Sequence, residues 1–151
     1  MQTSSGVSSD QLADGLMAFF GHIMHGDQAE LFAVVAELDL TMAQMRGMFV
    51  ISSSQQPLAL TELAPRMGLS VPAAGRAIDG LVRKGFVARA EDPDDRRIKR
   101  LSVSQDGLIA IQRVAEARRV GFRRFAETLD PSRRALLLEA FQAALPPEET
   151  P

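Results

Sequence analysis

Leu81-Val82-Arg83-Lys84-Gly85-Phe86-Val87, Asp92-Pro93-Asp94-Asp95-Arg96-Arg97 and Leu101-Ser102-Val103-Ser104-Gln105-Asp106-Gly107 are three runs within 27 consecutive residues, and their reading decides the fold. The first closes a helix at Gly85, a residue that accepts left-handed backbone at no steric cost. Phe86–Ala90 and Ile98–Val103 then have strand length and flank a Pro- and Asp-rich turn, which predicts a β-hairpin with a charged tip. Ser104, with Asp106 in the first turn beyond it, is placed to cap the next helix.

Working outward toward the N-terminus, Ser70 caps a helix with Pro72 in its first turn, where a missing N–H costs nothing. Ala74, Ile78, Leu81 and Val82 give that helix an apolar stripe. Before it, Leu58-Ala59-Leu60 reads as a brief strand, and Thr61 as the cap of a short helix that ends at Met67 and is stopped by Gly68. Two helices joined by Gly68-Leu69-Ser70 make a helix-turn-helix. Further upstream, Thr41 with Gln44 three residues on forms a capping box ahead of Met45, Met48, Phe49 and Ile51; Ser52 to Pro57 end that helix.

The outer segments are helical as well. From Ser9 or Asp10 as cap, Leu12, Leu16, Phe19, Phe20 and Ile23 recur at helical spacing, and Gly26-Asp27 kink or break the run before Leu31, Phe32, Val34, Val35 and Leu38. Beyond the hairpin, Leu108, Ile111, Ala115, Phe122, Phe125 and Leu129 mark a long helix. Asp130-Pro131 opens a last one carrying Leu137, Leu138, Phe141 and Leu145. The expected fold class is mainly α with a small β-hairpin wing: a winged helix-turn-helix lobe at 41–103, flanked by dimerisation helices at 10–38 and 104–145. All of it forms a single domain over 1–151, with flexible tails at 1–9 and 146–151.

Composition narrows the function classes. The 151 residues include eight Phe but no Trp, Tyr or Cys, so disulfides, thiolate metal sites and cysteine nucleophiles are excluded. No stretch of eighteen apolar residues occurs and the first ten lack a signal-peptide pattern, so a cytoplasmic protein without a membrane span is expected. The net charge of −2 conceals an uneven distribution. Residues 1–60 hold six acids and one base, Arg46; residues 61–100 hold six acids and nine bases; residues 101–151 hold seven of each. Four of the six central acids are Glu91, Asp92, Asp94 and Asp95. Around them stand Arg66, Arg76, Arg83, Lys84, Arg89, Arg96, Arg97, Lys99 and Arg100, a phosphate footprint by charge.

On the three runs quoted above, with the glycine ending the helix, the Asp-x-Arg at the hairpin tip and the Ser-x-x-Gly opening the next helix, the chain resembles the MarR family of multiple-antibiotic-resistance regulators. The flanking helices extend the resemblance over roughly residues 10 to 145. It implies a two-fold homodimer formed by the outer helices, double-stranded DNA as partner, the wing arginine in the minor groove and the helix from Ser70 in the major groove. It further implies a pocket for a small apolar or aromatic ligand, here walled by Phe19, Phe20, His22, Met24, Phe32, Met45, Met48 and Phe49; ordinary core packing of the same residues is the alternative.

Physical chemistry assigns DNA roles to particular side chains. Arg97, in frame with Asp95 as wing support, can enter a narrow minor groove without reading a base, and Arg96 can share that work; the alternative is that Asp95 and Arg97 pair within the turn. In the recognition helix the family usually shows Ser and Thr where Pro72, Ala73 and Gly75 stand, so few base readers remain. Arg76 is the strong donor, bidentate to a guanine or clamping a phosphate, while Ala73 offers a methyl to thymine. Ser70, Arg66, Arg83, Lys84 and Lys99 complete the DNA-contact set, with Arg66, Arg83 and Lys84 touching backbone or, as the alternative, facing solvent.

His22 and His25 stand three apart, near Asp27 and Glu30, but a closed zinc site from them needs two carboxylates, and no metal or other cofactor is assigned. Arg118-Arg119 and Arg123-Arg124 read as a solvated or salt-bridged face. No phosphate loop or nucleophile–base pattern points to an enzyme. The expected function is a ligand-responsive repressor that binds a pseudo-palindromic operator. The alternative is a winged-helix module for protein contacts without DNA affinity.

Overall fold

The computed structural model describes residues 6–25 and 29–145, with only the backbone described at Met24 and His25. The order is α1 (Ser9–His25), α2 (Ala29–Glu37), α3 (Met42–Ser52), β1 (Leu58–Ala59), α4 (Leu60–Met67), α5 (Val71–Arg83), β2 (Val87–Glu91), β3 (Lys99–Val103), α6 (Gln105–Thr128) and α7 (Pro131–Ala144). The fold is thus mainly helical with a small antiparallel sheet, as the sequence implies. No helix among the described residues is long and apolar enough to cross a membrane. The chain divides into two compact units, one running from Leu31 to Ala117 and the other built from the described residues on either side of it.

In the Leu31–Ala117 unit, local capping chemistry sets the helix starts. Thr41 accepts from the Gln44 N–H at 3.2 Å while the Gln44 side chain accepts from the Thr41 N–H at 3.0 Å, a reciprocal box. Ser70 caps α5 through the Ala73 N–H, with Pro72 in the first turn. The short helix departs from expectation: its N-cap is Ala59, not Thr61, and α4 begins at Leu60. The Glu62 carboxylate supplies the missing acceptor by taking the Ala59 N–H at 2.7 Å. Gly68 ends α4 in the left-handed region at φ 65°. A β-carbon there has room, so Gly68→Ala is expected to cost only backbone strain, about 1 kcal/mol, read from urea unfolding.

The hairpin is part of a three-stranded sheet ordered β1-β3-β2, so the brief first strand adds to the hairpin edge, with Leu58 opposite Leu101 and Ala59 opposite Arg100. β2 pairs with β3 from Val87 opposite Val103 to Glu91 opposite Lys99. Only Val87 and Leu101 of the hairpin strands are buried, because the sheet packs through its base while the tip projects. The core gathers Met48, Leu63, Met67, Ile78, Leu81 and Leu101, all essentially without solvent contact. Gly47 permits close packing here, since a β-carbon on it would stand 3.2 Å from both Ile78 Cδ1 and Met67 Cε.

The long helix buries a different face from the one its large side chains suggest. Gly107, Ala110, Val114 and Ala117 are buried, whereas Leu108, Ala115 and Phe122 are exposed and Ile111 is half-buried. At Gly107 the reason is room: α6 starts hard against the residues that follow α5, where a β-carbon would meet the Phe86 carbonyl.

In the other unit, α1 is capped by Ser8 rather than Ser9 or Asp10: the Gln11 N–H donates to Ser8 Oγ at 3.1 Å and the Ser8 N–H donates to the Gln11 side chain at 2.9 Å. Asp130 caps α7 through the Arg133 N–H at 3.0 Å. Phe19 meets Phe125 edge-on at 5.4 Å and Phe141 at 6.3 Å. The expected break at Gly26-Asp27 lies outside the described residues. Leu12, Leu16, Met17, Phe20, Leu136, Leu138 and Phe141 are exposed, an extensive apolar surface for one chain.

Candidate nucleic-acid interface

The site is built on α5 and the hairpin tip, and what distinguishes its cations is which of them have an acid nearby. Arg76, Arg83, Arg96 and Arg97 are exposed, and none has an acidic partner among the described residues. Arg66, at the end of α4, donates to the Ser54 hydroxyl at 3.3 Å. Lys84 and Lys99, both in the expected DNA-contact set, each have an acid beside them. Lys84 reaches Asp39 at 2.6 Å, and Lys99 reaches Glu91 across the hairpin at 2.8 Å. Arg89 likewise pairs with Asp79 at 2.6 Å. Ser70 is occupied as a cap, and Ala73 is half-buried with its methyl only partly open.

At the wing tip the Asp95 carboxylate accepts the backbone N–H of Arg97 at 2.9 Å, and the Asp95 carbonyl accepts the Ile98 N–H at 2.9 Å. This is an Asx-type turn rather than a side-chain ion pair, so Asp95 shapes the tip while leaving the Arg97 guanidinium open to a ligand.

The main wing support is a residue the sequence reading passed over. Asp92 is only 6% exposed; one carboxylate oxygen accepts the N–H groups of Asp94 at 2.9 Å and Asp95 at 3.1 Å, and the other accepts Arg100 Nε at 2.5 Å. Arg100 also donates to Glu62 at 2.8 Å. One polar chain therefore runs from the cap of α4 to the tip of the hairpin. The hydrogen bond from Arg100, then those from the Asp94 and Asp95 backbone, hold the Asp92 carboxyl below the usual carboxylate range, and Asp92 in turn raises Arg100. The Asp-Pro-Asp-Asp order carried the signal, since an aspartate before a proline turn commonly accepts N–H groups two and three residues on. Asp39, which adopts φ 49°, is likewise held low by the hydrogen bond and charge of Lys84.

The residues expected to wall a ligand pocket differ in exposure. Met48 has no exposed surface and belongs to the packed core of the helix-turn-helix unit, and Met45 is buried as well. Phe49 is half-buried, while Phe32 is 66% exposed and Phe20 60%. Phe19 is half-buried, and the His22 ring lies against Phe125 at 5.6 Å. The side chains of Met24 and His25 lie outside the described residues. Among the described residues no three His, Asp or Glu side chains gather as a metal site requires. Arg124 of the paired arginines stands 3.7 Å from Glu30, in keeping with a salt-bridged face.

Comparison with known proteins bears on the same segment. Residues 40–99, from the start of α3 to the beginning of β3, match the model of the MarR family. The HTH-type transcriptional repressor MdtR of Bacillus subtilis is 27% identical over 124 residues, 81% of this chain and 78% of that protein. The solved structure of RV1404 from Mycobacterium tuberculosis is 26% identical, covers 94% of this chain and 95% of its own, and superposes with a TM-score of 0.72. A MepR mutant of S. aureus bound to an oligodeoxyribonucleotide shares the fold at 17% identity, with a TM-score of 0.67 over 88% of this chain and 98% of that one. With a winged helix-turn-helix in place, the match to the MarR family lies across it, and over that segment the chain is similar to MarR-family regulators.

Proposed function

We propose that the chain is a sequence-specific, double-stranded DNA-binding transcription regulator, a repressor that acts as a homodimer on a pseudo-palindromic operator. The observation that carries this reading is the open Arg97 guanidinium at the end of a braced hairpin, next to an equally exposed Arg96. An arginine so presented suits the concentrated negative potential of a minor groove. α5 lies in the adjacent major groove, where Arg76 is its one strong donor on the early turns and Arg83 meets phosphate. The fold shared with a DNA-bound relative and the repressor name of another support the same reading.

The apolar surface of the terminal helices supports dimerisation, which gives two recognition helices for two half-sites. A small apolar or aromatic effector acts by binding one arrangement of the dimer better than another, since equal affinity for both shifts nothing.

The test is a titration of the protein against labelled duplex from upstream of its own gene and a scrambled duplex, at two salt concentrations. Wild type is expected to prefer the native duplex, to bind it as two chains per duplex and to weaken steeply with salt through counterion release. Arg97→Ala is expected to lose about tenfold in affinity while keeping its melting temperature. Equal indifference of the wild type to both duplexes at low salt would overturn the assignment.

A further inference from the structure

We infer that Arg46 is a phosphate-binding residue of the DNA interface, gripping the sugar–phosphate backbone beside the turn of the helix-turn-helix; the inference rests on the DNA-binding reading above. Arg46 is exposed on α3, although its neighbours Met45, Gly47 and Met48 are buried. Its side chain reaches the turn between α4 and α5: both terminal guanidinium nitrogens, at 3.8 and 3.9 Å, lie near the point where a β-carbon would stand on Gly68. Gly68 directly precedes Leu69 and the Ser70 cap of the recognition helix.

The charge around that turn is of one sign. Residues 41–61 contain Arg46 and no acid, and residues 63–78 contain Arg66 and Arg76 and no acid. The intervening Glu62 is committed to the Ala59 N–H and to Arg100. Arg46 has no acidic partner among the described residues, and Arg66 touches a neutral hydroxyl. Arg46, Arg66 and Arg76 are therefore left without an acidic partner among the described residues of α3, α4 and α5. The positive end of the α5 dipole, whose first turn also lacks an acid, adds to the same field. A guanidinium fork is matched in geometry to phosphate oxygens, whereas merely covering the turn would need only an aliphatic stem. That difference separates a DNA role from a packing role.

The experiment compares wild type, Arg46→Met, Arg46→Lys and Arg97→Ala on a labelled duplex of about 30 base pairs from upstream of the protein's own gene and on a scrambled duplex of equal length, across a salt series. Arg46→Met, which keeps the stem, is expected to lose about three- to tenfold on both duplexes alike, with the slope of log affinity against log salt shallower by about one. Arg46→Lys is expected to restore the slope, and all variants to melt as wild type does. The inference is overturned if Arg46→Met keeps the wild-type affinity and slope while Arg97→Ala weakens binding, an outcome that leaves the DNA-binding reading intact. It is equally overturned if affinity falls only together with melting temperature and without a change of slope. Failure of the wild type on every duplex removes both readings at once.

Discussion

Gly107→Ala is expected to destabilise the helix-turn-helix unit by roughly 3 kcal/mol or more. A β-carbon on Gly107 would fall on the carbonyl oxygen of Phe86, deep inside van der Waals contact, and 2.7 Å from Val103 Cγ1. Neither neighbour is free to retreat. The Phe86 carbonyl accepts the Ser104 N–H at 3.0 Å, and Ser104 in turn donates its hydroxyl to the Gly85 carbonyl at 2.5 Å while capping α6 through the Gly107 N–H at 3.0 Å. Val103 is held in register opposite Val87. The exit of the recognition helix, the base of the wing and the start of α6 are thus fastened at one point, and the glycine is what allows them to approach. Gly15→Ala, in a helical position with nothing within 4 Å of the added carbon, is the matched control and is expected to gain about 0.5–1 kcal/mol from helix propensity. Urea unfolding of the two variants beside wild type reads both effects, and an unchanged midpoint for Gly107→Ala would mean that the close approach is not enforced.

Asp92→Ala is expected to lower affinity for duplex DNA at least as far as Arg97→Ala does, although Asp92 faces away from any ligand. Its carboxylate ties the Asp94 and Asp95 N–H groups to Arg100, so its loss leaves the turn without its acceptor and Arg100 without its closest acid. Both tip arginines then lose their fixed direction, and ordering them again on DNA costs conformational entropy that the braced hairpin had already spent in folding. Faster amide exchange confined to residues 92–98, with helices α3 to α5 still protected, is the accompanying signature; wild-type exchange and affinity would show that the hairpin needs no such brace. The same carboxylate predicts a pH response. Its pKa is depressed in the folded chain, so its contribution is present above the ordinary carboxylate value and is lost as pH falls through the lower, folded value. Wing order is therefore expected to persist through mildly acidic solution and to fail only below the usual carboxylate range, with the Asp39 carboxylate following the same direction.

Much of the fold and of the candidate site is written in chemistry that acts over three or four residues. Thr41 with Gln44, Ser70 with Ala73, Gly68 at its positive φ, Asp130 before Pro131 and the Asp-Pro-Asp-Asp turn each contain both partners of their own hydrogen bonds or their own backbone constraint. These positions determined where the helices begin and end and where the hairpin turns, and with them the winged helix-turn-helix and the exposure of Arg96 and Arg97. What tertiary structure alone decided is which groups meet across long separations. Lys84 finds Asp39 from 45 residues away, and Arg100 finds Glu62 from 38. The brief strand at Leu58 is legible locally, but its pairing with Leu101, 43 residues on, is not. In α6 the buried face runs through Gly107, Ala110, Val114 and Ala117, and at Gly107 the space between packed elements sets what can enter. Charge shows the same division: sequence counts the cations of the binding lobe, but only the folded chain, by placing acids beside some of them, determines which remain open to phosphate.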